Sequence, residues 1–234
     1  MELVMNVAFG QKHITHQPQY WLRYSAALNF PSKTQLLFDA ESRRFFEEKG
    51  YAAAFLRGQI QVPLKNNFAF DAAAAYFHFY GQNYSDAELE THPHYADIRF
   101  HQSILQRNMV GKFSMTNRLR LEERFVQQNK AKGSDKFDLL PRLRLALLMN
   151  YALAEKWELR ASDDVVFNVF QKDAPSVFER NLFSIGVYRK LSKNTGIEVG
   201  YLSQFISRQP LGVYLQRNVL KVYFTQNFIA KKQG

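Results

Sequence analysis

The chain contains no cysteine, so disulfide frameworks, thiol chemistry and Cys-ligated metal centres are excluded. No run of 18 or more apolar residues occurs either, which excludes a membrane-crossing helix. The glycine-rich phosphate loops, the Gly-x-Ser-x-Gly nucleophile elbow and the His-Glu-x-x-His zinc signature are all missing. A nucleotide enzyme, an α/β-hydrolase and a zinc protease are therefore not expected. No linker, low-complexity tract or repeat of 20–50 residues interrupts the 234 residues, so residues 12–234 are expected to form a single domain.

Aromatic side chains are abundant. They make up 15% of the chain, with 21 Phe and 12 Tyr, and flat rings favour a pleated sheet. Mean hydropathy is −0.36. That value does not argue against a membrane, because a spanning strand needs only one apolar face over about 9–11 residues. The net charge is +10, and its cations recur at every second residue inside strands instead of gathering in a tail. An oligonucleotide-binding barrel would need about five strands and an RNA-binding signature, and neither is present. Met1 to Gln11 is short, apolar and ends in small residues, like the tail of a secretory signal, so residues 1–11 are expected to be such a remnant.

Period-two alternation dominates. Tyr20, Leu22, Tyr24, Ala26, Leu28 and Phe30 share one face of a first strand, and Arg23, Ser25, Ala27 and Asn29 share the other. Pro31-Ser32-Lys33 then turns the chain. Further strands are predicted over 36–46, 51–62, 68–80, 95–105, 113–125, 142–150, 157–167, 181–189, 197–205 and 218–228. The clearest, Phe113 to Phe125, sets Leu119 and Leu121 against Arg118, Arg120, Glu122 and Arg124. Glu123 falls on its apolar side, which implies a position near a headgroup interface or a bulge.

Short turns are expected near Pro31, Lys65, Asn108, Glu155 and Lys193, and longer polar connections between them. Such sorting of short and long connections to opposite rims marks an outer-membrane barrel. The fold class expected is therefore all-β: one antiparallel up-and-down barrel of about 10–12 strands. About eleven segments are legible, and single-chain bacterial barrels normally have an even count. Twelve is the expectation, with the extra strand within 13–19 or upstream.

Several stretches resemble a bacterial outer-membrane family catalogued as domain of unknown function 2490. They are Gln19 to Leu22, Asn117 to Phe125, Asp163 to Asn168, Glu179 to Gln204 and Asn218 to Phe228, and the likeness covers most of the chain after about Gln17. The resemblance implies an outer-membrane barrel with no established activity, so it transfers no functional residue. The tail Ile229 to Gly234 departs from a pattern in which barrels usually end near the closing aromatic.

A charged side chain facing lipid at the midplane costs about 2–4 kcal/mol for Arg or Lys, so the charged face must point inward. The residues expected to line the interior are Arg99, Arg118, Arg120, Glu122, Arg124, Arg142, Arg144, Arg160, Asp97, Asp164 and Glu198. They would form either an interlocked ion-pair network or a cationic constriction favouring small anionic solutes. No catalytic residue, metal site or cofactor is expected. His92-Pro93-His94 lacks a third ligand, and Ser103 two residues from His101 is a common coincidence. The partners expected are outer-membrane lipid and the barrel-insertion machinery, for a monomer in the bacterial outer membrane that binds no nucleic acid. Tyr20, Phe30, Tyr80, Tyr151, Trp157 and Phe228 should mark the interfaces. The alternatives are a barrel enzyme acting on lipid or envelope polymers and a soluble lipocalin-like binder with an apolar interior.

Overall fold

The computed structural model describes residues 13–46, 50–80, 94–127, 136–169, 176–208 and 213–230. The expected signal remnant over 1–11, the loop residues His92 and Pro93, and the end of the tail lie outside them. No helix occurs among the described residues. The elements are β1 His13–Asn29, β2 Gln35–Phe45, β3 Tyr51–Pro63, β4 Phe68–Tyr80, β5 His94–Val110 and β6 Phe113–Gln127. They continue as β7 Phe137–Leu139, β8 Arg142–Ala154, β9 Trp157–Asn168, β10 Phe178–Lys190, β11 Thr195–Ser207 and β12 Val213–Ile229.

Every strand pairs with its sequence neighbour, save that β6 pairs with β8 while the three-residue β7 adds only to one end of β6. The ring closes where β1 meets β12. Among the described residues there are twelve strands, but one of them is β7, which lies outside the ring, so the barrel has one member fewer than the twelve expected. Residues 13–19 are the start of β1, not a separate strand, and the closed ring has eleven members. An odd ring of up-and-down strands must bring its first and last members together parallel. β1 and β12 do run parallel, from His13↔Val213 to Asn29↔Ile229, while the other ladders are antiparallel. Across this seam the Tyr24 hydroxyl donates to Gln226 Oε1 at 2.7 Å, and the Tyr24 and Phe224 rings stack with centroids 5.8 Å apart.

Because native cysteine is absent, two introduced cysteines report on this seam without background. Leu28→Cys with Phe228→Cys, which are register partners, should crosslink with a short bismaleimide and shift the denatured chain on a gel. Leu28→Cys with Tyr214→Cys should not. The reverse outcome would mean that the seam runs antiparallel.

Turn chemistry sorts the connections to opposite rims. One rim carries the short turns 30–34, 64–67, 111–112, 155–156 and 191–194. In 64–67 the Phe68 amide donates to the Lys65 carbonyl at 3.2 Å, and both central residues, Asn66 and Asn67, have positive φ. This is the mirror-image turn that matches strand twist, and asparagine tolerates its backbone. Pro31 opens the first turn, in which the Lys33 amide donates to the Phe30 carbonyl at 2.9 Å, as proline at that position favours. The two-residue turn after β5 uses Gly111 at φ +58, three residues beyond the position expected near Asn108, because β5 continues regular pairing to Val110.

The strands alternate as an inverted protein. Along β6, Leu119 and Leu121 are 49% and 39% exposed, whereas Arg120 and Glu122 are 3% and 2% exposed. Elsewhere the outer face carries Leu22, Phe38, Leu56, Tyr76, Phe100, Leu145, Ile185 and Leu220, all exposed. A lipocalin-like arrangement with an apolar interior is thereby ruled out, since buried residues include Asp39, Glu41, Asp71, Asp97, Arg142 and Arg217. Aromatic rings concentrate at both ends. Tyr20 packs on Phe46 and Tyr51 on Tyr80, each pair with centroids 5.3 Å apart, at the long-connection end. Phe113, Tyr151, Trp157 and Phe228 stand exposed at the short-turn end. Between Tyr20 and Phe30, a rise of about 3.3 Å per residue and a strand tilt of about 40° give a band about 25 Å tall.

Candidate functional site: a charged barrel interior

The interior is held by carboxylates shared among guanidinium groups. Glu122 on β6 meets Arg142 of β8 at a short contact, Arg144 Nη1 at 3.2 Å and Arg99 Nη1 of β5 at 3.9 Å. Asp164 on β9 takes Arg144 Nη2 at 2.6 Å and Arg118 Nη2 at 2.9 Å. Asp97 takes Arg99 Nη2 at 2.6 Å and, at a shorter contact, Arg124. Charge-assisted contacts of this kind are the strong members of the hydrogen-bond family. Here each of these carboxylates has more than one guanidinium partner.

Ten of the eleven residues expected from the sequence therefore lie in one continuous sector over β5–β9 or touch it, since Arg160 and Asp164 share β9. The eleventh, Glu198, sits on β11, where it accepts from Arg160 Nη1 at 3.3 Å and Lys221 Nζ at 2.5 Å. Lys221 also donates to Ser184 Oγ at 2.5 Å. Its stem crosses Gly200, where an added Cβ would stand 2.7 Å from Lys221 Cε and 2.4 Å from the Ile185 carbonyl oxygen. Glycine is thus required here by close approach.

Other members of the interior lie outside the set expected from the sequence. On β1–β3, Glu41 accepts from Arg23 Nη2 at 2.6 Å and Arg43 Nε at 2.7 Å, and Asp39 accepts from Ser25 Oγ and Arg57 Nη2, both at 2.5 Å. Their signal was available, because Asp39, Glu41 and Arg43 share one face of a legible strand. Glu179 had no such signal. The β9–β10 ladder shifts register between Phe178 and Arg180, so Glu179 is the extra residue of a bulge. It bridges Arg142 at 2.6 Å and its own neighbour Arg180. A bulge breaks alternation, and two successive side chains then share one network.

Aromatic rings fill part of the same space. Phe55 stacks on Phe77 with centroids 4.7 Å apart, and the guanidinium groups of Arg43 and Arg99 lie 3.8 Å over Trp21 and 3.7 Å over Phe77. What remains is a cavity of about 820 Å³, lined by twelve Arg or Lys side chains against five Asp or Glu, while Glu41, Asp97, Glu158 and Glu179 bond to lining arginines from beside it. The excess of cations is not an end effect. Arg120, buried in mid-strand, has Ser103 Oγ at 2.9 Å from its Nε and its nearest carboxylate, Asp71, at 3.9 Å.

Ser103 is engaged by Arg120, while His101 Nε2 lies 3.6 Å from Asp71 Oδ1 and makes no hydrogen bond. No hydrogen bond joins Ser103 to His101 Nε2. His94 packs edge-on to Tyr80, with centroids 5.4 Å apart. No cluster of three metal-ligating side chains occurs among the described residues. The β5–β6 ladder passes Phe100↔Glu123 without a register shift, so Glu123 lies near the long-connection end of a regular strand with no bulge.

A family model described as a protein of unknown function, DUF2490, matches residues 18–212. The chain belongs to the DUF2490 family. No curated protein matches it. Among solved structures, this DUF2490 barrel is similar to the translocator domain of the autotransporter NalP from Neisseria meningitidis, at 11% identity and a TM-score of 0.41. That match covers 73% of this chain and 66% of the translocator domain, and likeness at this level carries no argument about function.

Proposed function

We propose that this DUF2490 chain is a monomeric barrel of the Gram-negative outer membrane, inserted by the barrel-assembly machinery, whose narrow interior admits small anionic solutes. The observation that carries the reading is a cavity with twelve cationic and five acidic lining side chains, inside a wall whose outer face is apolar. Aqueous solvent would penalise that outer face, whereas hydrocarbon about 25 Å thick between two aromatic bands suits it. The surplus of guanidinium over carboxylate charge, confined by a low-dielectric wall, raises the local concentration of anions and repels cations. No catalytic role is assigned to any residue.

The test is conductance in planar bilayers. Purified chain should give discrete steps with chloride more permeant than potassium. Arg107, at the short-turn end of β5 and bonded through Nη2 to Gln61 at 2.7 Å, lines the cavity outside the shared-carboxylate network. Arg107→Glu should lower the chloride-to-potassium ratio while the barrel stays folded. Silence in bilayers, or a ratio that favours potassium in the unaltered chain, would defeat the solute reading and leave a purely structural barrel.

A further inference from the structure

The outer face is not uniform. Across β1–β4 the register aligns Leu22, Ser42, Ala54 and His78 in one row and Tyr24, Ala40, Leu56 and Tyr76 in the next row toward the short turns. Small side chains at 40, 42 and 54 leave a floor. Stacked Tyr24 and Phe224 wall one side, and Leu56 and Tyr76 wall the other. The result is a groove of about 700 Å³. Its short-turn end is open, because Gly58, the partner of Phe38, has nothing within 4 Å of an added Cβ.

The groove is apolar along its length and polar at one end only. Ser42 Oγ, at that end, is shielded and makes no hydrogen bond within the protein. Two residues further along the same face of β2, Arg44 lies with its guanidinium 4.0 Å over the Tyr51 ring and bonded to the Tyr51 hydroxyl. The interior arginines share carboxylates, but Arg44 has no carboxylate partner among the described residues. It stands beside the ring pairs Tyr20–Phe46 and Tyr51–Tyr80, at the level where headgroups would lie. An apolar groove that ends below a guanidinium group has the polarity of one lipid molecule.

We infer that this groove binds an anionic phospholipid, with an acyl chain over Ala40 and Ala54, the phosphate on Arg44, and the Ser42 hydroxyl donating to the ester region. The inference rests on the outer face meeting hydrocarbon and not on solute passage, so a barrel that conducts nothing would still test it. A guanidinium–phosphate contact is charge-assisted and strengthened by partial desolvation. It therefore supplies selectivity that the apolar slot lacks.

Purified full-length chain in detergent is incubated with equal amounts of phosphatidylglycerol and phosphatidylcholine of the same chain length, and the retained lipid is counted by native mass spectrometry. Phosphatidylglycerol should be retained about tenfold over phosphatidylcholine, because both carry the phosphodiester but the quaternary ammonium of choline cancels its charge and is repelled by Arg44. Arg44→Gln should bring that ratio to about one. Ala54→Phe, which fills the slot, should abolish retention of both lipids, with Ala40→Leu as the second filling variant should Ala54→Phe not fold. Equal retention by the unaltered chain, undiminished retention in both filling variants, or a dimer that the filling variants dissolve would overturn the assignment, the last by making the groove an interface between two copies. Conductance gives an independent reading, so failure here and failure of the solute proposal are told apart.

Discussion

Replacing Glu122 by alanine should cost about 3–5 kcal/mol of stability, the range for removing one partner from a buried ionic cluster. Glu122 is 2% exposed and compensates three guanidinium groups, those of Arg142, Arg144 and Arg99. Without it, Arg142 keeps Glu179 and Arg144 keeps Asp164, but three positive charges face one another with one carboxylate fewer. Loss of a buried charge partner is more damaging than loss of the whole cluster, because the remaining ions stay desolvated. The measurement is the urea concentration or temperature at which the folded band on a semi-native gel disappears. Glu122→Gln keeps shape and some hydrogen bonding but no charge, and should fall near alanine. If both variants melted with the unaltered chain, water in the cavity would have to be compensating the arginines, and the shared carboxylates would not be what holds the interior together.

The second large effect is on the other side of the wall. Leu145 on β8 pairs with Leu119 of β6, and its side chain is 46% exposed on the outer face. Leu145→Arg should destabilise the barrel in a phospholipid bilayer by about 2–4 kcal/mol, as expected for arginine near the midplane. The same substitution in a water-soluble protein, at an equally exposed site, would be close to neutral. Reversible unfolding from vesicles, compared with Leu145→Ala, measures the difference. An arginine tolerated there as well as alanine would show that this face does not meet hydrocarbon.

The two predictions divide along the alternation that the sequence displays. Leu119 out and Arg120 in are neighbours whose fates differ because successive Cβ atoms point to opposite sides of a strand. That is a local property, which is why strands such as 68–80 and the short turns at Pro31 and Lys65 could be placed from residue order alone. Pairs at i and i+2 on one face were equally legible. Arg99 with Asp97 and Arg43 with Glu41 are bonded within their own strands.

By itself, then, the order of residues determined that the chain forms spanning-length strands with an apolar and a charged face, and which connections are short. Only the tertiary structure decided how many strands close the ring, because closure depends on the two chain ends meeting, and here β1 and β12 meet parallel over residues 200 apart in sequence. It also decided which carboxylate serves which guanidinium. Glu122 reaches Arg142 rather than its own strand's Arg120 or Arg124, because cross-strand register and tilt set those distances. Glu179 joins the network only because a bulge turns it inward. The outer groove likewise exists only where small residues from β2 and β3 fall side by side, a coincidence of register between segments that alternation treats one at a time.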